Sequence, residues 1–178
     1  PVSHLEEVLR SGQLAITAEI APPLSSNPED VIKKVNLLQG WVDAANFTDA
    51  PSATARMSSL ACSVISLQHG LEPVMQIAGR DRTRTGFQAE VLGAAALGVR
   101  NILCLTGDHP RLGPAPHSRK DIWDLDSIQM VWLLRRMRDE GHFLDCREVK
   151  CAPQVFIGTA GSPYASTPSI QAMREEKK

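Results

Sequence analysis

Residues 73–105, PVMQIAGRDRTRTGFQAEVLGAAALGVRNILCL, carry the pattern that decides the fold. Two short apolar runs, 73–78 and 99–105, predict β-strands, and the second is apolar almost throughout, as in a strand buried on both faces. The small and apolar residues 87–97 between them predict a helix that ends at Gly98. A strand, a helix and a second strand in this order predict parallel strands joined by a right-handed crossover.

The same alternation of strands and helices extends in both directions along the chain. Further strands are predicted at 14–20, 42–48 and 155–159, and further helices at 28–39, 57–68, 128–140 and from 167 onward. An irregular excursion at about 107–125, rich in proline and glycine, interrupts the alternation after the fourth strand. The sequence therefore predicts one α/β domain over residues 1–178.

Two architectures are compatible with this order of elements. An open doubly wound sheet is complete at five strands, whereas a (β/α)8 barrel needs eight strands and about 250 residues. The length of 178 residues favours the open sheet. The last helix favours a barrel that is incomplete here, because the sequence ends within its amphipathic pattern and without a capping residue.

Composition restricts the class of protein. A net charge of -1, 43% hydrophobic and 22% charged residues are ordinary values for a globular protein and exclude a disordered chain. The near-neutral charge argues against a nucleic-acid binder, and no apolar run is long enough for a transmembrane helix. The four cysteines form no CxxC pair, and Cys62 and Cys104 lie in apolar runs, so we expect a reduced, cytoplasmic protein.

Candidate functional residues follow the predicted strands, because ligands bind at the carboxyl ends of parallel strands in both architectures. Glu19 lies in an otherwise apolar strand, where partial desolvation suits a general acid; the alternative is a structural acid paired with an arginine. Asp108 follows Gly107, which allows the backbone to approach a ligand closely; the alternative is an aspartate that caps a turn. No Gly-rich dinucleotide fingerprint, P-loop or nucleophile elbow is present.

Basic residues near the same strand ends have two interpretations each. Arg80, Arg82 and Arg84 are candidates for a phosphate clamp, or they form a solvated run of charges. His109 and His117 are candidate ligands, or they are exposed loop residues. The sequence alone leaves these alternatives open.

Six short motifs occur in the order and spacing of one enzyme family. They are Ala18-Glu19-Ile20-Ala21-Pro22-Pro23, Asn46-Phe47-Thr48-Asp49, Arg56-Met57-Ser58-Ser59-Leu60, Glu72-Pro73-Val74-Met75-Gln76, Arg80-Asp81-Arg82 and Leu105-Thr106-Gly107-Asp108. Together with residues 174–178, REEKK, they resemble methylenetetrahydrofolate reductase along nearly the whole chain. The resemblance implies a (β/α)8 barrel, of which about five βα units are present, with FAD at its carboxyl-end face. It also implies reduction of 5,10-methylenetetrahydrofolate to 5-methyltetrahydrofolate in one-carbon metabolism and methionine biosynthesis.

The resemblance also implies roles for individual residues. Glu19 corresponds to the acid that protonates N10 of the folate and opens its five-membered ring to an iminium. Asp108 corresponds to an aspartate near the pyrimidine end of the flavin, and Thr48 to a residue near the flavin and the nicotinamide donor. The positions implied for the cofactor are Thr48, Asp49, Gln76 (where other branches have His), Thr106 (in place of an Arg), Gly107, Asp108, Asp124, Leu125, Asp126, Ala160, Ser162, Lys177 and Lys178.

Within this cofactor set, the resemblance divides the positions along the length of FAD. Residues 124–126 correspond to the segment that holds the ribityl and adenosine part. Ala160 and Ser162 correspond to adenine-side contacts, although Ser162 departs from an aromatic residue seen elsewhere. Lys177 and Lys178 correspond to basic residues near the phosphates.

The resemblance leaves the partners of the protein open. The electron donor is NADH, NADPH or a reducing partner subunit, and a homo- or hetero-oligomer is expected. The remaining barrel units belong to a longer protein or are supplied by another chain.

Two other functions are considered: a non-catalytic, partner-dependent flavin- or folate-binding subunit, and a folate-binding barrel that transfers methyl groups without flavin. The motifs at 48–49 and 106–108 favour the flavin enzyme over the methyl-transferring barrel.

Overall fold

The computed structural model describes residues 1–114, 123–162 and 167–177, which form a parallel sheet flanked by helices. The strands are β1 (Thr17–Ile20), β2 (Ala44–Phe47), β3 (Pro73–Ala78), β4 (Asn101–Leu105) and β5 (Phe156–Thr159). The helices are α1 (His4–Arg10), α2 (Glu29–Leu38), α3 (Ser59–Gln68), α4 (Arg84–Ala96), α5 (Ser127–Arg135) and α6 (Pro168–Lys177). A π-helical turn, Arg136–Glu140, continues α5.

The strand order settles the choice between the two architectures. All five strands are parallel, and their order in the sheet is the order of the sequence, β1-β2-β3-β4-β5. A doubly wound sheet reverses its strand order at a switch point, whereas a barrel adds each strand beside the previous one. The described residues therefore form a partial (β/α)8 barrel, which confirms the barrel prediction.

The two faces of the sheet have different environments. Side chains on the outer face, such as Phe47, Met75 and Ile102, are fully buried beneath the helices. Cys62 and Cys104 belong to the same outer layers, and burial raises the pKa of their thiols to about 11 and about 12. This agrees with the prediction that both behave as small buried hydrophobic residues.

Helix α1 is the one α-helix in the described part of the chain that the sequence analysis did not predict. Ser3 caps it by accepting a hydrogen bond from the backbone N–H of Glu6, and Leu5 packs against Ala44 and Val74. The carboxylate of Glu72 accepts hydrogen bonds from the first N–H groups of α1, which places the helix across the amino ends of the strands. A serine three residues before a glutamate is a known capping pattern and is the signal that could have revealed this helix.

Most predicted boundaries differ from the structure by one to three residues, while β3 matches its prediction at both ends. Helix α4 begins earlier than predicted, at Arg84, because Thr83 caps it by accepting from the Gly86 N–H. The predicted helix over 128–140 is divided into α5 and the π-helical turn. None of the helices in the described part of the chain has both the length and the apolar character needed to span a bilayer.

Candidate functional site

A cavity of about 610 Å³ lies at the carboxyl ends of the strands. Its lining residues are Glu19, Thr48, Asp49, Pro51, Gln76, Ala78, Arg80, Leu105, Thr106, Gly107, Asp108 and Ser162. Eight of these twelve are positions to which the family resemblance assigns a role, and Arg80 is a ninth candidate from the basic residues near the strand ends. Parallel strands end at the same edge of the sheet, so residues distant in sequence meet there.

A second depression of about 240 Å³ adjoins this cavity and shares Leu105, Thr106 and Ser162 with it. It adds Ala160, as predicted, together with two residues of α6: Gln171, which the sequence analysis did not single out, and Arg174, which it quoted only as part of the motif at 174–178. Their spacing of three places both on one helix face and is the signal that could have identified them. The two depressions together form an elongated site from the end of β1 to α6.

Glu19 lies on the inner face of β1, in register with Asn46 on β2. The prediction that its carboxyl group is partly desolvated is wrong, since Glu19 is exposed. The reason is that β1 is the edge strand of the described sheet, so solvent reaches the inner face from that side. Among the described residues no arginine pairs with Glu19, so the alternative of a structural ion pair is not observed.

Thr48 is the buried residue of the cavity with unmet hydrogen-bonding capacity. Its side chain is 6% exposed, and its Oγ1 atom has no hydrogen-bond partner. Leaving a buried hydroxyl unsatisfied costs about 1–3 kcal/mol. A ligand with a polar group at this point in the cavity would remove that cost.

Asp49 reaches the cavity wall, but its carboxylate is engaged within the protein. It accepts a hydrogen bond from the Ala78 N–H at 2.8 Å and forms an ion pair with Arg82, which also pairs with Glu90. Burial disfavours the charge of Arg82, but the hydrogen bonds and charges of Glu90 and Asp49 outweigh it and raise the pKa of the guanidinium. Arg82 is therefore neither a phosphate clamp nor a solvated charge: it connects β2, β3 and α4.

Asp108 and Arg80 hold the segment that follows β2. The Asp108 carboxylate accepts a hydrogen bond from the Ser52 N–H at 2.7 Å, and the buried Arg80 donates to the Ala50 carbonyl at 3.1 Å. Ala50, Ser52 and Ala53 have φ values of 44°, 53° and 52°. Non-glycine residues in this region are strained, and such strain persists where surrounding contacts fix it, often at functional sites. Asp108 thus stabilises the turn at residues 50–53, which precedes it in sequence.

The close packing between Arg80 and the backbone that follows β4 requires glycine at position 107. Its φ of 91° is in the region that favours glycine, and a Cβ atom there would lie 2.9 Å from the Cβ of Arg80. The backbone of β4 can therefore approach Arg80 closely only with glycine at this position. Arg80 is held by Asp81, Ala50 and the Asp108 carbonyl, which makes it a fixed positive charge in the cavity wall.

Other predicted cofactor residues lie outside both depressions. Asp124 pairs with Arg84, Leu125 is buried in the hydrophobic core, and Asp126 caps α5 in a capping box with Gln129. Lys177 lines a separate groove with Trp132 and Arg136 on the outer side of α5. The structure thus does not bring these four residues to the cavity: Asp124, Leu125 and Asp126 are engaged elsewhere, and Lys177 lies at the separate groove. His117, Lys178 and part of the excursion at 107–125 lie outside the described residues.

The Asp124–Arg84 pair predicts a pH dependence of stability. Hydrogen bonds from Arg84 lower the pKa of Asp124 from 3.8 to about 2. The pKa of Asp124 is lower in the folded state than in the unfolded state. The stabilisation is therefore complete above about pH 4 and is lost as the pH falls through 2. We expect Asp124→Asn to melt at a lower temperature than the unmodified chain at pH 7, by a small amount because the pair is partly exposed. The difference should vanish below pH 2, and an equal difference at both pH values would contradict the assignment.

The fold and the site define a barrel-type α/β protein with an elongated ligand site at the carboxyl ends of its strands. A family model described as methylenetetrahydrofolate reductase matches residues 4–175. The chain therefore belongs to the methylenetetrahydrofolate reductase family, whose members are folate-related oxidoreductases of one-carbon metabolism and are generally flavin-dependent. A search of curated proteins finds no match.

Proposed function

We propose that this protein reduces 5,10-methylenetetrahydrofolate to 5-methyltetrahydrofolate with FAD as its cofactor. The observation that carries the proposal is the meeting of eight residues with expected roles in one cavity. A carboxylic acid, Glu19, lies on the β1 side of that cavity and a second, Asp108, on the β4 side. The family resemblance implies an acid for the folate and polar residues beside the flavin, and this cavity contains both kinds of group.

The residues present fit FAD. The unsatisfied Thr48 hydroxyl, the Gln76 amide and the glycine at position 107 line the wall at which a flat, polar ring would lie. The second depression, lined by Ala160, Ser162 and Arg174, extends the cavity towards α6 and would offer a cation for the cofactor's phosphates. When bound, FAD would supply the hydride, and the protein would supply orientation and electrostatics.

In this proposal Glu19 is the general acid. It donates its proton to N10 of the folate; the bond between N10 and the bridging carbon breaks, and that carbon remains on N5 as an iminium. Glu19 lines the cavity from the edge strand β1, where it is accessible to a bound folate. Asp108 and Arg80 keep the segment at 50–53 in place and fix the charges on the opposite side of the cavity.

Residues outside the cavity take indirect roles in the proposal. Asp124, Leu125 and Asp126 fix the start of α5, next to the second depression, through Arg84, the core and the helix cap. Contact of Lys177 and Lys178 with the cofactor phosphates stays a proposal from the resemblance alone. So do NADH, NADPH or a reducing partner subunit as electron donor, a homo- or hetero-oligomeric state and a cytoplasmic location.

A second candidate function is a partner-dependent flavin- or folate-binding subunit without its own turnover. One observation favours it: the inner face of the sheet carries an apolar depression of about 410 Å³ near the amino ends of the strands. Leu5, Val74, Leu103 and Phe156 line it. In a closed barrel such a region is filled by side chains, so another chain segment would cover it.

Thr48 provides a test of cofactor binding. We expect Thr48→Val to weaken FAD binding about tenfold, because one hydrogen bond of about 1–1.5 kcal/mol is lost. Without FAD the same variant should be more stable than the unmodified chain, since it removes an unsatisfied buried hydroxyl. Fluorescence titration with FAD and thermal melting measure the two effects, and Thr48→Ser, which keeps the hydroxyl, is the control. Equal FAD affinity of the Val and Ser variants would contradict the role of Thr48.

A single-turnover experiment separates the candidate functions. The chain is loaded with FAD, reduced under anaerobic conditions and mixed with 5,10-methylenetetrahydrofolate. The reductase predicts return of the oxidised flavin spectrum together with formation of 5-methyltetrahydrofolate. Bound flavin without product would favour the non-catalytic subunit, and folate binding without flavin would favour the methyl-transferring barrel.

A further inference from the structure

Asn46 lies beside Glu19 on the inner face of the sheet. The two residues are Cα partners in the parallel ladder between β1 and β2. The residues that follow them, Ile20 and Phe47, are also partners and belong to one buried cluster with side chains of α2. Because successive side chains of a strand point to opposite faces, Glu19 and Asn46 share the inner face. Neighbouring strands are about 4.8 Å apart, so the two side chains are within reach of each other.

Glu19 is the neighbour across the strands that matches the chemistry of Asn46. On the other side, the Cα partner of Asn46 is Val74 of β3, whose side chain forms no hydrogen bond. Towards the amino ends of the strands, Asn46 lines the largely apolar depression that also contains Leu103 and Phe156. Asn46 therefore lies at the boundary between this depression and the main cavity, which Glu19 lines.

Both side chains have unused hydrogen-bonding capacity. In the described part of the chain, neither the amide of Asn46 nor the carboxyl group of Glu19 has a hydrogen-bond partner. Asn46 is half-buried, and a polar group next to apolar surface is costly unless a partner is available. An amide N–H donates readily to a carboxyl oxygen. Hydrogen bonds between catalytic groups often shorten only when the substrate binds.

We propose that Asn46 is a positioning residue for Glu19. The inference rests on the proposed function, in which Glu19 donates a proton to N10 of the folate. The Nδ2 group of Asn46 donates a hydrogen bond to one oxygen of the Glu19 carboxyl group. The acidic proton is then carried by the other oxygen, which faces the cavity and the folate. Asn46 acts through Glu19 and does not touch the reacting atoms.

The first test is the rate of folate reduction in Asn46→Leu, which replaces the amide by an apolar group of similar shape. The single-turnover rate at saturating folate should fall about tenfold, the effect of one hydrogen bond. Folate affinity and FAD content should not change, and the melting temperature should not fall, because Leu fits the apolar depression. Asn36→Leu changes an exposed residue of α2 and is the control, for which we expect the unmodified rate.

Combining this variant with Glu19→Gln separates positioning from a merely structural role. If Asn46 acts only through the acid, the double variant should be as slow as Glu19→Gln alone. An unmodified rate in Asn46→Leu would overturn the inference. So would a double variant that is slower than Glu19→Gln by the same factor that Asn46→Leu shows on its own.

A titration of the chain alone examines the contact without any turnover. Asn46→Asp would place a second carboxylate about 5 Å from Glu19, and like charges disfavour ionisation. The ¹³C NMR signal of the Glu19 carboxyl carbon should therefore titrate about 0.5–1 pH unit higher than in the unmodified chain. Asn36→Asp adds the same charge on α2 and should leave this signal unchanged. The same titration curve in both variants would contradict the contact.

Failure of this inference and failure of the proposed function give different results. If the unmodified chain binds FAD but does not reduce the folate, the proposed function is wrong and the role of Asn46 is wrong with it. If Glu19→Gln is slow while Asn46→Leu keeps the unmodified rate, only the role of Asn46 is wrong.

Discussion

Replacing Glu19 by Gln is expected to slow the reduction of 5,10-methylenetetrahydrofolate by about 10²–10⁴-fold while FAD stays bound. General acid catalysis by a positioned side chain contributes an effect of this size. The amide of Gln has nearly the same shape as the carboxyl group but cannot deliver a proton to N10. Glu19 makes no described ion pair that the substitution would break, so the fold should be unaffected.

Single-turnover rates measure this effect, with FAD content and melting temperature recorded on the same samples. Glu29→Gln is the matched control, because it changes an exposed glutamate of α2 that lines neither the cavity nor its neighbour. A Glu19→Gln variant that retains its flavin and reduces folate at the unmodified rate would show that the acid lies elsewhere.

The largest loss of stability is expected for Arg82→Met, about 3–5 kcal/mol in the free energy of unfolding. Asp49 and Glu90 would then lack the cation that both of them contact. Removing one partner of a buried ion pair is costly because the remaining charge stays buried and unpaired. The side chains of Arg82, Asp49 and Glu90 are only 14%, 8% and 20% exposed, so solvent compensates little.

Urea denaturation measures this loss as a lower midpoint with an unchanged slope. Arg84→Met is the control: Arg84 is two residues away, and its pair with Asp124 is partly exposed, so its effect should be small. Adding Glu90→Met to Arg82→Met should restore part of the stability by removing one unpaired charge. Equal midpoints for the Arg82 and Arg84 variants would contradict the structural role of the cluster.

The sequence allowed the fold to be predicted where local pattern determines it. β3 is an apolar run, interrupted by Gln76, between two glycine-containing turns, so its ends are marked and both were predicted. The alternation of strands and helices implied parallel strands, and the structure confirms this. Helix α1 was missed because it is short and because its apolar side chains can be recognised as core residues only from their packing against the sheet.

The site was predictable in its location but less so in its details. The strand ends and the family resemblance together gave eight cavity residues, since the topology brings the ends of parallel strands to one edge of the sheet. The environment of Glu19 was not predictable, because its exposure depends on what lies beyond the edge of β1. The partners of Asp49 and Asp124 were not predictable either, because Arg82 and Arg84 are distant in sequence and are selected by tertiary packing.

The most direct test of the central claim is whether the cavity at the carboxyl ends of the strands holds a flavin. The chain is incubated with FAD and passed through a gel-filtration column, and the visible absorption of the protein peak is measured. The account predicts a flavin band that elutes with the protein in nearly equimolar amount and is reduced in Thr48→Val. A colourless protein peak from a chain that still unfolds cooperatively would contradict it.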